Sequence, residues 1–140
     1  MFKQLTPAVA VSPQIEVADV AAAAAQGFVC IVNNRPDGES PDQPAGDAIR
    51  AAAEAAGLRY VAIPVDARGF SQPMVAAMAD ALGAGKTLAF CRSGTRSTNL
   101  WSLASASQGG SIAEITATAA AAGYDVSGLA GAMAQLGGKA

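Results

Sequence analysis

Short β-branched runs alternate with longer alanine-rich segments along this chain, and this alternation constrains the fold more than any other feature. Strands that alternate with segments of helical length are typical of βα units wound around a mostly parallel sheet. The pattern predicts about four strands, within residues 8–12, 28–33, 59–65 and 86–91. An α/β fold with a central, mostly parallel sheet is therefore expected.

The segments between and after these strands are rich in alanine, which has the highest helix propensity. They predict helices on both faces of the sheet and two extra helices at the C-terminal end. A length of 140 residues is the usual size of one domain, so residues 1–140 are expected to form a single domain. The predicted helices span residues 16–26, 47–56, 73–82, 95–107, 112–122 and 126–136.

Charge and hydropathy exclude several kinds of partner. A net charge of −2 gives no basic field to hold a phosphate backbone, so nucleic acid is not an expected partner. No stretch approaches 18 consecutive apolar residues, and the N-terminal segment lacks the long apolar core of a signal peptide. The sequence thus predicts a cytoplasmic protein that does not cross a membrane.

The sequence also lacks several side chains that catalytic and metal sites commonly use. The chain contains no histidine, which excludes a Ser-His-Asp triad or a Cys-His pair. Two cysteines alone fall short of a usual zinc ligand set, so neither a metal nor another cofactor is expected. In a chain of this kind the two cysteines indicate reduced thiols rather than a disulfide framework.

The segment LAFCRSGTRSTNLW carries the candidate chemistry, because it places Cys91 where the fourth strand ends and a helix follows. Ligands of parallel α/β sheets bind at this end of the strands. Backbone N–H groups and the helix dipole can converge near the sulfur, and Gly94 allows the left-handed turn that such a cradle needs. With Arg96 alongside, these groups would stabilise a nucleophilic thiolate. The predicted anion-binding loop comprises Arg92, Ser93, Gly94, Thr95 and Ser97.

A purely structural interpretation of the same segment is also open. Cys91 could be a small buried residue at a strand end, followed by an ordinary turn with Ser93 or Thr95 as the helix cap. The catalytic interpretation is favoured because a cysteine, a glycine three residues later and an arginine five residues later all fall between a strand and a helix.

The motif CRSGTRS resembles the active loop of rhodanese-type sulfurtransferases. It is also similar to the Cys-x5-Arg loop of protein tyrosine phosphatases, but one residue shorter. Four residues separate Cys91 from Arg96, whereas the phosphatase pattern would put its arginine at the position of Ser97. Phe90 stands where that pattern has a histidine.

A longer resemblance runs from about residue 5 to residue 130. The segments IVNNRPDGES, AAGLRYVAIPV, FCRSGTRSTNLW and AAGYDVSGL occur in this order in the phosphatase-like domain of bacterial beta-lactamase-hydrolase-like proteins. This resemblance implies a protein-tyrosine-phosphatase-like fold with helices after the active loop. Members are described either as phosphatases or as sulfurtransferases, and some carry a further domain of the persulfide dioxygenase type.

Two more charged residues are candidates at the same end of the sheet. Asp66 follows the third predicted strand, where the resemblance places the general acid of small phosphatases, although it could equally be a solvated turn carboxylate. Arg35 follows the second predicted strand and is a candidate for recruiting an anionic substrate. Arg92 is expected to point towards solvent.

Three functions are compatible with these residues. The leading hypothesis is a rhodanese-type sulfurtransferase that acts through a Cys91 persulfide. The alternative is a tyrosine or dual-specificity phosphatase that acts through a phosphocysteine, with Asp66 as general acid. The third is a non-catalytic anion-binding or redox-sensing module. The expected partner is a small anion, either a sulfane sulfur donor or a phosphoester, and a protein thiol is one candidate acceptor.

Overall fold

A five-stranded sheet lies at the centre of the computed structural model, which describes residues 2–140. The strand order is β1-β2-β5-β3-β4; β1 pairs with β2 in the antiparallel sense, and the other pairs are parallel. The predicted α/β fold with a mostly parallel sheet is confirmed, with one strand more than expected. The strands are β1 (Lys3–Thr6), β2 (Val9–Ser12), β3 (Cys30–Asn33), β4 (Arg59–Ala62) and β5 (Thr87–Phe90).

The additional strand, β1, lies at the edge of the sheet. Its sequence, KQLT, has only one large apolar residue, and its side chains are exposed or half-buried. A short edge strand that buries little needs no β-branched run, so the hydrophobic pattern could not reveal it.

Six helices surround the sheet in the described part of the chain, and five of the predicted ones agree with the structure to within one residue at each end. The exception is the predicted helix over residues 126–136. The Asp125 carboxylate accepts the Ser127 N–H at 2.9 Å, which breaks this segment into a 3-10 turn (Ser127–Leu129) and a short helix. The helices are α1 (Val17–Ala25), α2 (Gly46–Ala55), α3 (Gln72–Leu82), α4 (Thr95–Ser107), α5 (Ile112–Ala121) and α6 (Ala130–Gln135). Within residues 2–140, none of them is long and apolar enough to cross a membrane.

The apolar core is divided by the sheet into two layers. One layer packs α1 and α2 against the sheet, and the other packs α3, α4, α5 and α6 against the opposite face. Helices therefore cover both faces, as predicted. Alanines at the helix contacts, such as Ala23, Ala53 and Ala104, are completely buried, which allows the helices to approach the strands closely.

The register of the four parallel strands brings their carboxyl ends to the same level. Ser12 pairs with Phe90, Phe90 with Asn33, and Asn33 with Ala62, and each is the last residue of its strand. The loops that follow β2, β3, β4 and β5 consequently leave the sheet at one edge. This edge holds the cysteine loop and every other candidate residue named above.

The same register separates the two cysteines. Cys30 pairs with Thr87 on the neighbouring strand, and Cys91 lies four residues further along that strand, roughly 13 Å away at 3.3 Å per residue. A disulfide requires Cα atoms within about 7 Å. Both thiols are free, and burial raises the pKa of the Cys30 thiol.

We therefore expect no intramolecular disulfide between Cys30 and Cys91 when the folded protein is treated with a mild oxidant. Peptide mapping under non-reducing conditions checks this, with protein oxidised in urea as the control in which the strands are no longer paired. A Cys30–Cys91 peptide formed in the native protein would contradict the strand register.

Candidate functional site

The turn between β5 and α4 brings a backbone N–H group to the sulfur of Cys91. Only three residues separate Cys91 from the start of α4 at Thr95. The last of them, Gly94, has a φ of 92°, a left-handed conformation that favours glycine. Its N–H donates to the Cys91 Sγ at 3.1 Å. The sulfur thus lies at the N-terminal end of a 13-residue helix, where partial positive charge is concentrated.

Tyr124 holds this turn from the C-terminal part of the chain. Its hydroxyl donates to the Ser93 carbonyl at 2.9 Å, and a Cβ atom at position 94 would collide with the same hydroxyl. Gly94 is therefore required both by its backbone conformation and by the space that Tyr124 occupies. No sequence signal marked this contact, because it joins positions 31 residues apart.

The remaining side chains of the loop bond mostly within the protein. Ser93 and Thr95 are exposed, their hydroxyls lie 3.0 Å apart, and Arg92 is exposed as expected. In the first turn of α4, the Thr98 hydroxyl donates to the Gly94 carbonyl at 2.8 Å, and the Ser97 hydroxyl donates to Asn34. Anion binding by this loop stays a prediction, and the donors open to an anion are the backbone N–H groups in the first turn of α4, which lack intrahelical partners.

Asn34, which the sequence analysis did not single out, joins three of the converging loops. Its side chain is completely buried, accepts the Ser97 hydroxyl at 2.8 Å and donates to the Ile63 carbonyl at 3.0 Å. Its backbone N–H donates to the Phe90 carbonyl at 2.8 Å. Asn34 therefore fixes the loops after β3 and β4 to the start of the cysteine loop and to α4.

Arg96 lies beside Cys91 and is held by two neighbouring loops. Its Nη1 donates to Glu39 Oε2 at 2.6 Å and to the Val65 carbonyl at 2.8 Å, and its Nη2 donates to Glu39 Oε1 at 2.9 Å. The hydrogen bonds to Glu39 and the nearby Cys91 sulfur raise the pKa of Arg96. The guanidinium is thus permanently charged and fixed at the predicted position next to the thiol.

Glu39 is the second residue of this edge that sequence reasoning did not assign. Hydrogen bonds from Arg96 and Arg35 outweigh partial burial and lower the pKa of Glu39 to about 2. Its side chain is 27% exposed, so the carboxylate lies at the mouth of the site. The only sequence signal was its position four residues after Arg35, a spacing shared by many structural ion pairs.

Arg35 is buried, and its donors are engaged by the protein itself. Its Nε donates to Glu39 at 2.9 Å, its Nη1 to Gln14 Oε1 at 3.1 Å and its Nη2 to Ser40 Oγ at 3.3 Å. The geometry makes Arg35 a support for the Glu39 loop. Its recruitment of substrate stays a prediction.

Asp66 follows Val65, whose carbonyl contacts Arg96, so its backbone lies at the site. Its carboxylate accepts the backbone N–H of Arg68 at 2.9 Å and pairs with the Arg68 guanidinium at 2.8 Å. These hydrogen bonds lower the pKa of Asp66, which favours the ionised form. A general acid must instead be protonated, and the role of Asp66 as an acid stays a prediction.

The thiol at the centre of this arrangement has no exposed surface, because Cys91 is completely buried. No group of three or more His, Cys, Asp or Glu side chains within residues 2–140 is arranged to hold a metal ion.

We expect Gly94→Ala to lower the free energy of unfolding by about 1–3 kcal/mol, the usual cost of a strained backbone conformation, with the collision with Tyr124 adding to it. Urea denaturation measures the change. Gly131→Ala is the matched control, because nothing lies within 4 Å of its added methyl group and it lies in a helix. Equal stability of the two variants would show that the turn is not constrained as described.

Glu39 should also make stability depend on pH. Its folded-state pKa is depressed to about 2, so its contribution is present above the ordinary value of 4.5 and is lost as the pH falls towards 2. We expect Glu39→Gln to be less stable than the parent protein at pH 7, with the difference shrinking between pH 4.5 and pH 2. A difference in unfolding free energy that does not change over this range would contradict the ion pair with Arg96.

Known proteins share both the sequence and the fold of this chain. Residues 1–108 match the family described as beta-lactamase hydrolase-like protein, phosphatase-like domain. A beta-lactamase hydrolase-like protein of Agrobacterium fabrum is 39% identical over an alignment of 107 residues, and the match covers 71% of this chain and 23% of that protein. The chain therefore spans about a quarter of the length of this curated relative.

Solved phosphatase structures share the architecture over nearly the whole chain. A candidate phosphatase from Neisseria meningitidis Z2491 is 31% identical, has a TM-score of 0.80, and covers 96% of this chain and 97% of its own. The structure of Tk-PTP in its active form has a TM-score of 0.70 at 17% identity, and the match covers 96% of this chain and 93% of that one. The second similarity concerns the fold alone.

These similarities confirm the predicted tyrosine-phosphatase-like fold. They also favour the phosphatase alternative over the sulfurtransferase that the sequence placed first, for which they give no support. Because the family match extends over 108 of 140 residues, the chain belongs to the phosphatase-like domain family of beta-lactamase hydrolase-like proteins.

Proposed function

We propose that the protein is a cysteine-dependent phosphatase in which Cys91 is the nucleophile. The observation that carries this proposal is the hydrogen bond from the Gly94 N–H to the Cys91 Sγ at the start of α4, with Arg96 alongside. The Gly94 N–H, the N-terminus of α4 and the Arg96 guanidinium together stabilise the Cys91 thiolate and the negatively charged oxygens of the group whose phosphorus it attacks. Membership of a phosphatase-like family gives the reaction its class.

The reaction proceeds by two displacements at phosphorus. The Cys91 thiolate attacks the phosphorus of a phosphomonoester, the ester P–O bond breaks, and the leaving oxygen departs with the bonding electrons and takes up a proton. Water then attacks the phosphocysteine, releases phosphate and restores the thiolate. The first-turn N–H groups of α4 and the Arg96 guanidinium contact the phosphoryl oxygens in both steps.

The availability of a proton donor for the leaving group determines which phosphoesters react well. Asp66 is the candidate donor, but its carboxylate is ionised and paired with Arg68. Aryl phosphates expel a stable phenolate and depend less on an acid than alkyl phosphates do. We therefore propose that a small, activated phosphoester is the better substrate.

Sulfur transfer remains a second candidate, favoured by the four-residue spacing between Cys91 and Arg96 and by the ionised Asp66. In this reaction the thiolate attacks the outer sulfur of thiosulfate, the S–S bond breaks, and sulfite leaves with the electron pair. The resulting persulfide gives its outer sulfur to cyanide or a thiolate and regenerates the Cys91 thiolate. No general acid is required.

To test the phosphatase, the reduced protein is incubated with p-nitrophenyl phosphate, and both phosphate release and intact mass are recorded. We expect turnover that falls by at least about a thousandfold in Cys91→Ser, since the nucleophile is lost. Cys30→Ser is the control, because this buried thiol lies roughly 13 Å from Cys91 along the strands and should leave turnover unchanged. Arg96→Lys should lower activity by removing bidentate contact with oxyanions.

A parallel incubation with thiosulfate decides between the two reactions. A gain of one sulfur atom on the parent protein and on Cys30→Ser, but not on Cys91→Ser, with no phosphate release, would replace the phosphatase by the sulfurtransferase. Asp66→Asn tests whether Asp66 donates the proton to the leaving group. If Asp66 donates the proton, the variant should lose more activity on an alkyl phosphate than on p-nitrophenyl phosphate.

A further inference from the structure

The hydrogen bonds of Arg96 leave only one edge of its guanidinium for a ligand. An arginine has five N–H donors, two on each Nη and one on Nε. Both donors of Nη1 are used, by Glu39 and by the Val65 carbonyl, and one donor of Nη2 is used by Glu39. The second Nη2 donor and the Nε donor remain, and within residues 2–140 neither donates to a protein oxygen. These two donors form the edge that can receive an oxyanion.

We infer that Glu39 sets the charge selectivity of the Cys91 site, because its carboxylate occupies one edge of Arg96 and forces an anion to bind the other edge beside a fixed negative charge. The inference rests on the proposed function in that it takes Cys91 and Arg96 as the anion site. The inference goes beyond the proposed function by giving Glu39 a role in selecting which anions bind at the site.

The charges around this position are few and can be added. Arg96 and Arg35 each contribute +1 and Glu39, which bonds both of them, contributes −1, so these three side chains carry a net charge of +1. The Cys91 thiolate of the proposed mechanism, which lies beside Arg96, brings the total to zero. The nearby Asp66 and Arg68 form a pair of zero net charge. The Glu39 carboxylate therefore opposes the binding of every anion, and it opposes a doubly charged anion about twice as strongly as a singly charged one.

The fixed charge also cannot be removed by ordinary changes of pH. Arg35 is 6% exposed and donates to Glu39 Oε1, the same oxygen that accepts from Arg96 Nη2. Glu39 is consequently restrained by two arginines, and its carboxylate stays ionised wherever the protein is folded near neutrality. Selectivity is thus a built-in property of the site in the folded protein.

Alkylation of the thiol tests the inference without requiring turnover. Iodoacetamide is neutral and iodoacetate carries one negative charge, so the ratio of their rates at Cys91 reports the local charge. Glu39→Gln removes the charge but keeps an oxygen that can accept from Arg96. We expect it to raise the iodoacetate-to-iodoacetamide ratio about tenfold, an effect within the range for charges a few ångströms apart near a protein surface.

Two controls separate this effect from others. Asp42→Asn removes one negative charge from the same loop, but its carboxylate bonds Ser40 rather than Arg96, so the ratio should change less than twofold. Cys91→Ser gives the background from Cys30. All rates are compared at one ionic strength, since salt screens exposed charges.

Three results would overturn the inference. Equal acceleration of both reagents in Glu39→Gln would mean that the carboxylate covers the thiol without selecting charge. A lower ratio would mean that Glu39 orients Arg96 for anions and that its own charge is unimportant. An unchanged ratio would mean that Glu39 does not influence the site.

Calorimetric titration with sulfate and nitrate provides a second measurement that does not depend on a reactive thiol. Glu39→Gln should tighten the binding of singly charged nitrate about tenfold and of doubly charged sulfate about a hundredfold, because the interaction energy scales with the charge of the anion, whereas Asp42→Asn should change neither. Equal changes for the two ions would contradict charge selection. If Cys91 reacts with neither alkylating reagent, the proposed function fails, and the titration still decides the role of Glu39.

Discussion

The alignment of four parallel strand ends is the constraint on which the rest of the structure depends. Because Ser12, Asn33, Ala62 and Phe90 lie at one level, four loops leave the sheet side by side. Buried hydrogen bonds then tie these loops together, most directly through Asn34. The strand register brings the loops that carry the thiol, the helix terminus and the arginine to one edge, and side-chain hydrogen bonds fix them there.

The ion pair at this edge contributes to stability and limits binding at the same time. Glu39 satisfies Arg96 and Arg35 and fixes the loop that carries it, yet it uses donors that a ligand would otherwise contact. Functional sites commonly retain such conflicts between folding and activity. The buried sulfur fits this view, since a closed and internally satisfied site is stable without a ligand.

Much of this architecture could be predicted from local sequence patterns. The alternating periodicity predicted four strands and nearly all helix boundaries, and the order of Cys91, Gly94 and Arg96 located the loop. The residues that escaped prediction act through partners distant in the sequence: Asn34 bonds Ser97, Glu39 bonds Arg96, and Tyr124 bonds Ser93. Single-sequence patterns contain no information on such pairs. The edge strand β1 was missed for a different reason, namely that it buries too little to leave a pattern.

The hydrogen bond from Tyr124 to Ser93 bears on where this domain ends. The family match stops at residue 108, before α5 and the segment that carries Tyr124. The turn that follows Cys91 is nevertheless held by a hydrogen bond from Tyr124, which lies after residue 108. The end of the sequence match therefore differs from the end of the segment that stabilises the cysteine loop. A fragment that ended at residue 108 would keep Cys91 but would lose the hydrogen bond from Tyr124 to Ser93.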